Sequence, residues 1–181
     1  MWQRAAEYYR AKPWRGRWET SGGGLLMNQA IHTLDLLQWL VGDVTDVQGH
    51  IATHVLGEDI EVEDTAEMIL THSNGARTVF YATLANIVNS PVMIDIYTEA
   101  ATLSLRRDLT VTYADGRSHT LVERHTPSAG KDYWGVSHEL LIRDFYAHLD
   151  DPEPFWISPV EAAKSLNIVK HLFASCAAAD K

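Results

Sequence analysis

Between the triple glycine Gly22-Gly23-Gly24 and Gly42, apolar residues fall on most sides of a helical projection: Leu26, Met27, Ala30, Ile31, Leu34, Leu37, Leu40 and Val41. The pattern predicts a helix over 25–41 that ends at Gly42, a residue suited to a helix C-cap. Asn28, His32 and Asp35 stand within it at i, i+4 and i+7. At about 100° per residue, His32 lies about 40° to one side of Asn28 and Asp35 about 20° to the other. A helix apolar nearly all round is normally buried, and a polar group buried without a partner costs on the order of 1–3 kcal/mol. The stripe therefore reads either as the border of a polar cavity or as a structural pair in which Asp35 orients a core histidine.

Beyond Gly42 the period shortens. β-Branched and aromatic-rich runs predict strands at 46–55, 63–72, 76–84, 91–98, 101–106, 109–114 and 118–124. Asn74-Gly75 and Asp115-Gly116 punctuate them and predict type I′ hairpins, which need positive φ at both central residues. In 63–72, Ala66, Met68 and Leu70 alternate with Thr65, Glu67 and Thr71, the pattern of a sheet with one covered and one polar face. Val136, Leu140, Leu141, Phe145 and Leu149 predict a helix over 136–149, and Ser158-Pro159-Val160-Glu161 marks the start of another. Residues 2–10 form a short predicted helix ahead of Pro13. Helix, strand meander and two closing helices give an α+β class: an open, mostly antiparallel sheet with helices on one face.

Length and composition narrow the function classes. At 181 residues the chain is expected to be a single domain, and 46% hydrophobic with 22% charged residues is ordinary for a soluble protein. Twenty-four acidic against 15 basic residues give a net charge of −9 with no dense basic run, which argues against nucleic acid as partner. No apolar run reaches the roughly 18–20 residues of a membrane span. Cys176 is the single cysteine, so no intrachain disulfide forms and a cytoplasmic setting is expected. Its neighbours Leu172, Phe173 and Ala174 place it as a small core residue.

Other candidates are weaker. Gly22-Gly23-Gly24 lacks the G-x-G-x-x-G spacing and the preceding strand of a dinucleotide loop, so the glycines are expected to allow a close backbone approach. The nine histidines make no metal site: on a strand, His50 and His54 would stand about 13 Å apart. His138, close after Tyr133-Trp134-Gly135 at the mouth of a helix, reads either as ligand-facing or as structural, while His119 and His125 are expected at the surface. Asp59, Glu61, Glu63 and Asp64 lack calcium-loop spacing and are expected to form a solvated loop. Packing is the expected use of the tryptophans in the basic, aromatic first 20 residues.

The run Gly22-Gly23-Gly24-Leu25-Leu26-Met27-Asn28-Gln29-Ala30-Ile31-His32-Thr33-Leu34-Asp35 resembles the start of the C-terminal domain of Gfo/Idh/MocA-type oxidoreductases. Tyr9 with Trp14-Arg15-Gly16, Val62-Glu63-Asp64-Thr65-Ala66, Asn74-Gly75-Ala76, Tyr133-Trp134-Gly135 with His138, and Asp144-Phe145-Tyr146 extend the resemblance over the chain. It implies a substrate and oligomerisation domain spanning 1–181, with 1–20 as the segment linking it to a Rossmann domain that this chain lacks. The family's catalytic histidine falls on His32, and the position four residues before it, often Asp, holds Asn28. Substrate-binding positions implied here are Asn28, Asp35, Arg15 and His138. Lys12-Pro13 imitates the family's Lys-Pro motif but lies too near Trp14-Arg15-Gly16 to serve as it.

The resemblance implies NAD or NADP for the full-length enzyme, with no cofactor or metal held by this chain alone. It implies a sugar, polyol or related carbinol as substrate, and a homodimer or tetramer formed through the sheet face. A non-catalytic ligand-binding or dimerisation module is the alternative. A hydrolase built on His32 and Asp35 lacks a supported nucleophile.

Overall fold

All seven predicted strands are present in the computed structural model, which describes residues 1–122 and 137–179. Strands β1 (Val44–Ala52), β2 (Thr65–His72) and β3 (Arg77–Thr83) form one antiparallel ladder in that order. A second antiparallel ladder follows, of β4 (Ile94–Tyr97), β5 (Ala101–Arg106), β6 (Asp108–Tyr113) and β7 (Ser118–Leu121). The antiparallel α+β class is as expected, with the strands divided between two ladders. Between β3 and β4, Asn86 closes a local loop by donating to Val88 O and Ser90 Oγ, and Pro91 offers no N–H to a ladder.

The helices are α1 (Ala6–Arg10), α2 (Trp18–Ser21), a π-helical turn (Leu26–Ala30) running into α3 (Ile31–Val41), α4 (Ser137–Ala147) and α5 (Pro159–Ala179). Helix α1 is shorter than the expected 2–10 because the preceding residues are extended: Gln3 bridges Ala85, and Trp2 N donates to Thr83 O at 2.9 Å. Pro159 takes the first position of α5, where its missing N–H costs nothing. No helix among the described residues is long and apolar enough to cross a membrane.

Two compact units divide the chain. The first comprises Met1–Ser90 and α5; in it α5 packs on β1 and α3. The alternation in β2 holds on this packed side, with Ala66, Met68 and Leu70 buried and Glu67 and Ile69 exposed. Thr65 is also buried, its hydroxyl bonded to Asp64 Oδ1 and Thr83 Oγ1 at 2.9 Å each. Leu26, Leu34, Leu70, Val169 and Leu172 are fully buried, each worth about 1.5–3 kcal/mol against leaving it in water. Cys176 is half-buried beside Gly49 O. The second unit, Pro91–Ser158, holds β4–β7 and α4. Helix α4 covers most of the expected 136–149, but its Leu140, Ile142 and Phe145 are exposed.

Both hairpin glycines are used, with a different turn from the one expected. Gly75 and Gly116 each have φ +86°, while the Asn and Asp before them stay at negative φ. Gly75 N donates to His72 O and His72 N to Ala76 O, both 2.9 Å; Gly116 N and Tyr113 N repeat the pattern with Tyr113 O and Arg117 O. This is a type I turn followed by a single left-handed glycine. Asn74 Oδ1 and Asp115 Oδ1 accept the amides two residues on, at 3.0 Å each, which holds both side chains in an Asx turn instead of the left-handed region.

Candidate functional site

The glycine turn before α3 is fastened by one distant residue. Gly24 N and Leu26 N donate to Glu63 Oε2 and Oε1, both at 2.9 Å, and Leu25 N donates to Glu63 O at 3.0 Å. These are amides at a helix start, which have no acceptor within the helix. Glu63 is 2% exposed; burial pushes its carboxyl above the ordinary 4.5, against the pull of the Leu26 and Gly24 amides. A Cβ on Gly24 would stand 2.0 Å from Glu63 O, so the close approach expected of the glycines is real. A dinucleotide needs such amides to hold its pyrophosphate. Here a carboxylate already takes them, and the turn does not fit that cofactor.

Asp64 is fully buried beside it. Burial raises its carboxyl, but the amides of His54, Val55 and Leu56 and the Thr65 hydroxyl outweigh that and hold it below the ordinary 3.8. The expected solvated acidic loop is thus corrected for Glu63 and Asp64: each is buried because backbone donors satisfy its oxygens. Asp59 and Glu61 pair instead with Arg10 and Arg17.

Asn28, His32 and Asp35 are all exposed on the outer side of the helix. The π turn takes up an extra residue, so angles counted at an α-helical repeat do not carry from Asn28 to His32. Burial on α3 is one-sided, on Leu34, Leu37 and Gln38, and Trp39 is 70% exposed, which corrects the expectation of a helix buried all round. Asn28 Nδ2 folds back to Gly24 O at 2.9 Å and Gly23 O at 3.3 Å, tying the side chain to the same glycine turn. Asp35 Oδ1 accepts from Ser165 Oγ of α5 at 3.3 Å, and Ser165 also donates to Ala162 O. The imidazole of His32 makes no hydrogen bond among the described residues.

Arg15 is half-buried in an aromatic stack. Its guanidinium lies 4.0 Å from the Tyr8 ring and 5.4 Å from that of Trp14, and one nitrogen donates to Tyr8 O at 2.8 Å. Arg4 stacks on Tyr8 and Trp2 at 5.0 and 4.8 Å. Burial, reinforced by neighbouring Tyr8, pushes the Tyr9 hydroxyl up to about 12. Trp18 packs edge-on against Phe173 of α5. His138 is exposed in the first turn of α4, in the second unit. Tyr133-Trp134-Gly135 and His125 lie outside the described residues.

His54 lies beyond the end of β1, so it shares no strand with His50. Among the described residues no three His, Cys, Asp or Glu side chains are placed to hold a metal ion. His72, fully buried, is structural: its Nδ1–H donates to Gly42 O at 2.7 Å, and its Nε2 meets Thr78 Oγ1 at 2.8 Å. The sequence pattern gives no signal for Ser165, nor for which partner Glu63 takes. Ser165 reaches Asp35 across 130 positions and Glu63 reaches Gly24 across 39, distances no local period encodes.

A family model described as the GFO/IDH/MocA C-terminal domain matches residues 1–104. A search of curated proteins finds no match. Among solved structures, the WlbA dehydrogenase from Bordetella pertussis, in complex with NADH and UDP-GlcNAcA, is similar with a TM-score of 0.71 and 31% identity over 97% of this chain and 50% of its own. An oxidoreductase from Agrobacterium radiobacter, in complex with NAD+, L-tartaric acid and magnesium, gives 0.77 and 21% over 93% of this chain and 51% of its own. Levoglucosan dehydrogenase, with NADH and levoglucosan, gives 0.76 and 21% over 91% and 51%. The last two are similar in fold. The chain spans about half the length of these structures.

Proposed function

The chain belongs to the Gfo/Idh/MocA family as its C-terminal domain, and from that premise we propose that it is the substrate-binding and oligomerisation domain of an NAD(P)-dependent oxidoreductase acting on a sugar, polyol or related carbinol. The observation that carries this reading is His32, exposed and without a hydrogen bond among the described residues, on a helix whose start Glu63 and Gly24 pin in place. An exposed imidazole on a helix fixed at its start is able to take the hydroxyl proton of a carbinol, or return it.

Asn28 cannot exchange a proton as a carboxylate does. Its NH2 faces the Gly23 and Gly24 carbonyls, so its Oδ1 is the atom that accepts from a substrate hydroxyl. Asp35, held by Ser165, is a second acceptor, and Arg15 and His138 are the remaining substrate contacts in this reading. NAD or NADP supplies the redox chemistry and is held by a nucleotide-binding domain, since the glycine turn of this chain does not fit it. On its own the chain is then inactive and binds neither cofactor tightly. Ile69, Val79 and Tyr81, exposed on one face of β2 and β3, support subunit pairing through the sheet as a homodimer or tetramer. One half-buried cysteine, Cys176, is compatible with a cytoplasmic setting.

Replacing His32 with Asn in the enzyme that contains this domain tests the reading. The expected result is a kcat lower by about 10²–10⁴ with the unfolding midpoint unchanged. Turnover little changed, together with a clear loss of stability, would return His32 to a structural role.

A further inference from the structure

The arginines of the N-terminal segment divide into two kinds. Arg10 and Arg17 each pair with a carboxylate, that of Asp59 and that of Glu61. Arg4 and Arg15 meet no carboxylate among the described residues, although acidic residues outnumber basic ones by 24 to 15. Both are half-buried, and both lie against one ring: their guanidinium carbons stand 5.0 and 4.0 Å from the Tyr8 centroid. Trp2 lies 4.8 Å from Arg4 and Trp14 5.4 Å from Arg15, so rings and cations alternate.

Stacking engages the face of a guanidinium and leaves its N–H groups free in the plane. One nitrogen of each is anchored on backbone: Arg4 Nη1 donates to Gln3 O at 3.0 Å, and Arg15 Nη1 to Tyr8 O at 2.8 Å. Each Nε is buried, beyond the reach of a ligand. Each Nη2, by contrast, is open to solvent and meets no acceptor among the described residues. The two Nη2 groups are thus the reachable donors of cations that rings and carbonyls hold in place, unlike a side chain moving freely in water. Two like charges beside one ring repel each other, and no acidic side chain described here offsets them. A carboxylate or phosphate brings both the opposite charge and the several acceptor oxygens that a guanidinium fork matches. A neutral hydroxyl compound brings no charge and leaves the repulsion as it was.

We propose that Arg4 and Arg15 form a site for an oxyanion, the carboxylate or phosphate of a small molecule, which accepts from the Nη2 group of each. That this group is carried by the substrate, as a sugar acid or sugar phosphate, rests on the reading of the chain as a substrate-binding domain. The site itself rests on the two arginines and is independent of the role of His32.

Titration of the 15N-labelled chain with D-glucuronate, D-glucose 6-phosphate and inorganic phosphate tests it, with D-glucose and sodium chloride as controls at constant ionic strength. The signals to follow are the side-chain Nε–H resonances of Arg4 and Arg15, which burial protects from exchange and which the variants assign. The expected result is a saturable shift of both at millimolar oxyanion, with none from D-glucose. Arg4→Gln and Arg15→Gln should each weaken binding about tenfold or more, the loss of one charge-assisted fork. Arg4→Lys and Arg15→Lys keep the charge and lose the fork; each should weaken binding several-fold, and they serve if a Gln variant fails to fold. Tighter binding of the sugar oxyanions than of phosphate supports a group carried by the substrate, and equal binding supports a free anion as the ligand. Shifts that never saturate, or that saturate alike in a folded variant and the parent, would overturn the site. Equal saturation by chloride or D-glucose would overturn the ligand class. None of these failures alters the outcome expected for His32→Asn, so the two readings fall separately.

Discussion

Gly24 and Glu63 meet across 39 positions, with the Gly24 amide 2.9 Å from the buried carboxylate and no room at Gly24 for a Cβ, which would stand 2.0 Å from the Glu63 carbonyl. The helix bearing His32 therefore starts where backbone meets backbone. Gly24→Ala forces main chain apart and is expected to cost about 3 kcal/mol or more. Glu63→Gln puts an NH2 against one of two backbone amides and is expected to cost about 1–3 kcal/mol. Urea unfolding followed by circular dichroism checks both. A midpoint equal to that of the parent for either variant would show that the contact does not hold the turn.

Glu63 and Asp64 are expected to give stability opposite dependences on pH. The Asp64 carboxyl is lowered from 3.8, so its contribution is complete above that pH and is lost as pH falls through the depressed folded value. Glu63 is raised from 4.5, so the protein loses stability as pH rises from there through the elevated folded value. Unfolding midpoints of Asp64→Asn should lie well below the parent near neutrality and approach it in acid. The deficit of Glu63→Gln should instead narrow as pH rises. Parallel profiles for either variant and the parent would contradict the assignment for that residue.

Arg107, between the paired residues Arg106 and Asp108, is the one non-glycine residue at positive φ among those described, at +79°. That region costs an L-residue about 1–2 kcal/mol, and glycine gives back roughly 0.5–1 kcal/mol in chain entropy. Arg107→Gly is expected to raise stability by about 0.5 kcal/mol, read as a higher Tm. A lower Tm would mean that the side chain contributes more than the strain.

Val79 is 83% exposed and stands opposite Ile69 in the register of β2 and β3. If this face pairs subunits, Val79→Lys should turn a self-associated chain into a monomer by light scattering, with Tm nearly unchanged for a surface site. An unchanged molecular mass in the variant would remove the sheet face from the assembly.

The period of apolar residues determined the elements themselves. Alternation in Ala66, Met68 and Leu70 and helical spacing through Leu34 and Leu37 are local properties, and the burial of these residues follows from them. Asn74-Gly75 and Asp115-Gly116 likewise marked both hairpins, because a left-handed residue is a local need. Tertiary structure decided what the polar residues do. Glu63 and Asp64 belong to an acidic run that reads as solvated, yet both are buried, since the donors that satisfy their carboxyls come from Gly24 and Leu26 and from 54–56. Asp35 shares a helix with His32, yet its hydrogen bond goes to Ser165 on another helix. Charge burial depends on where distant backbone donors arrive after the chain has folded, and no periodicity in the sequence carries that information.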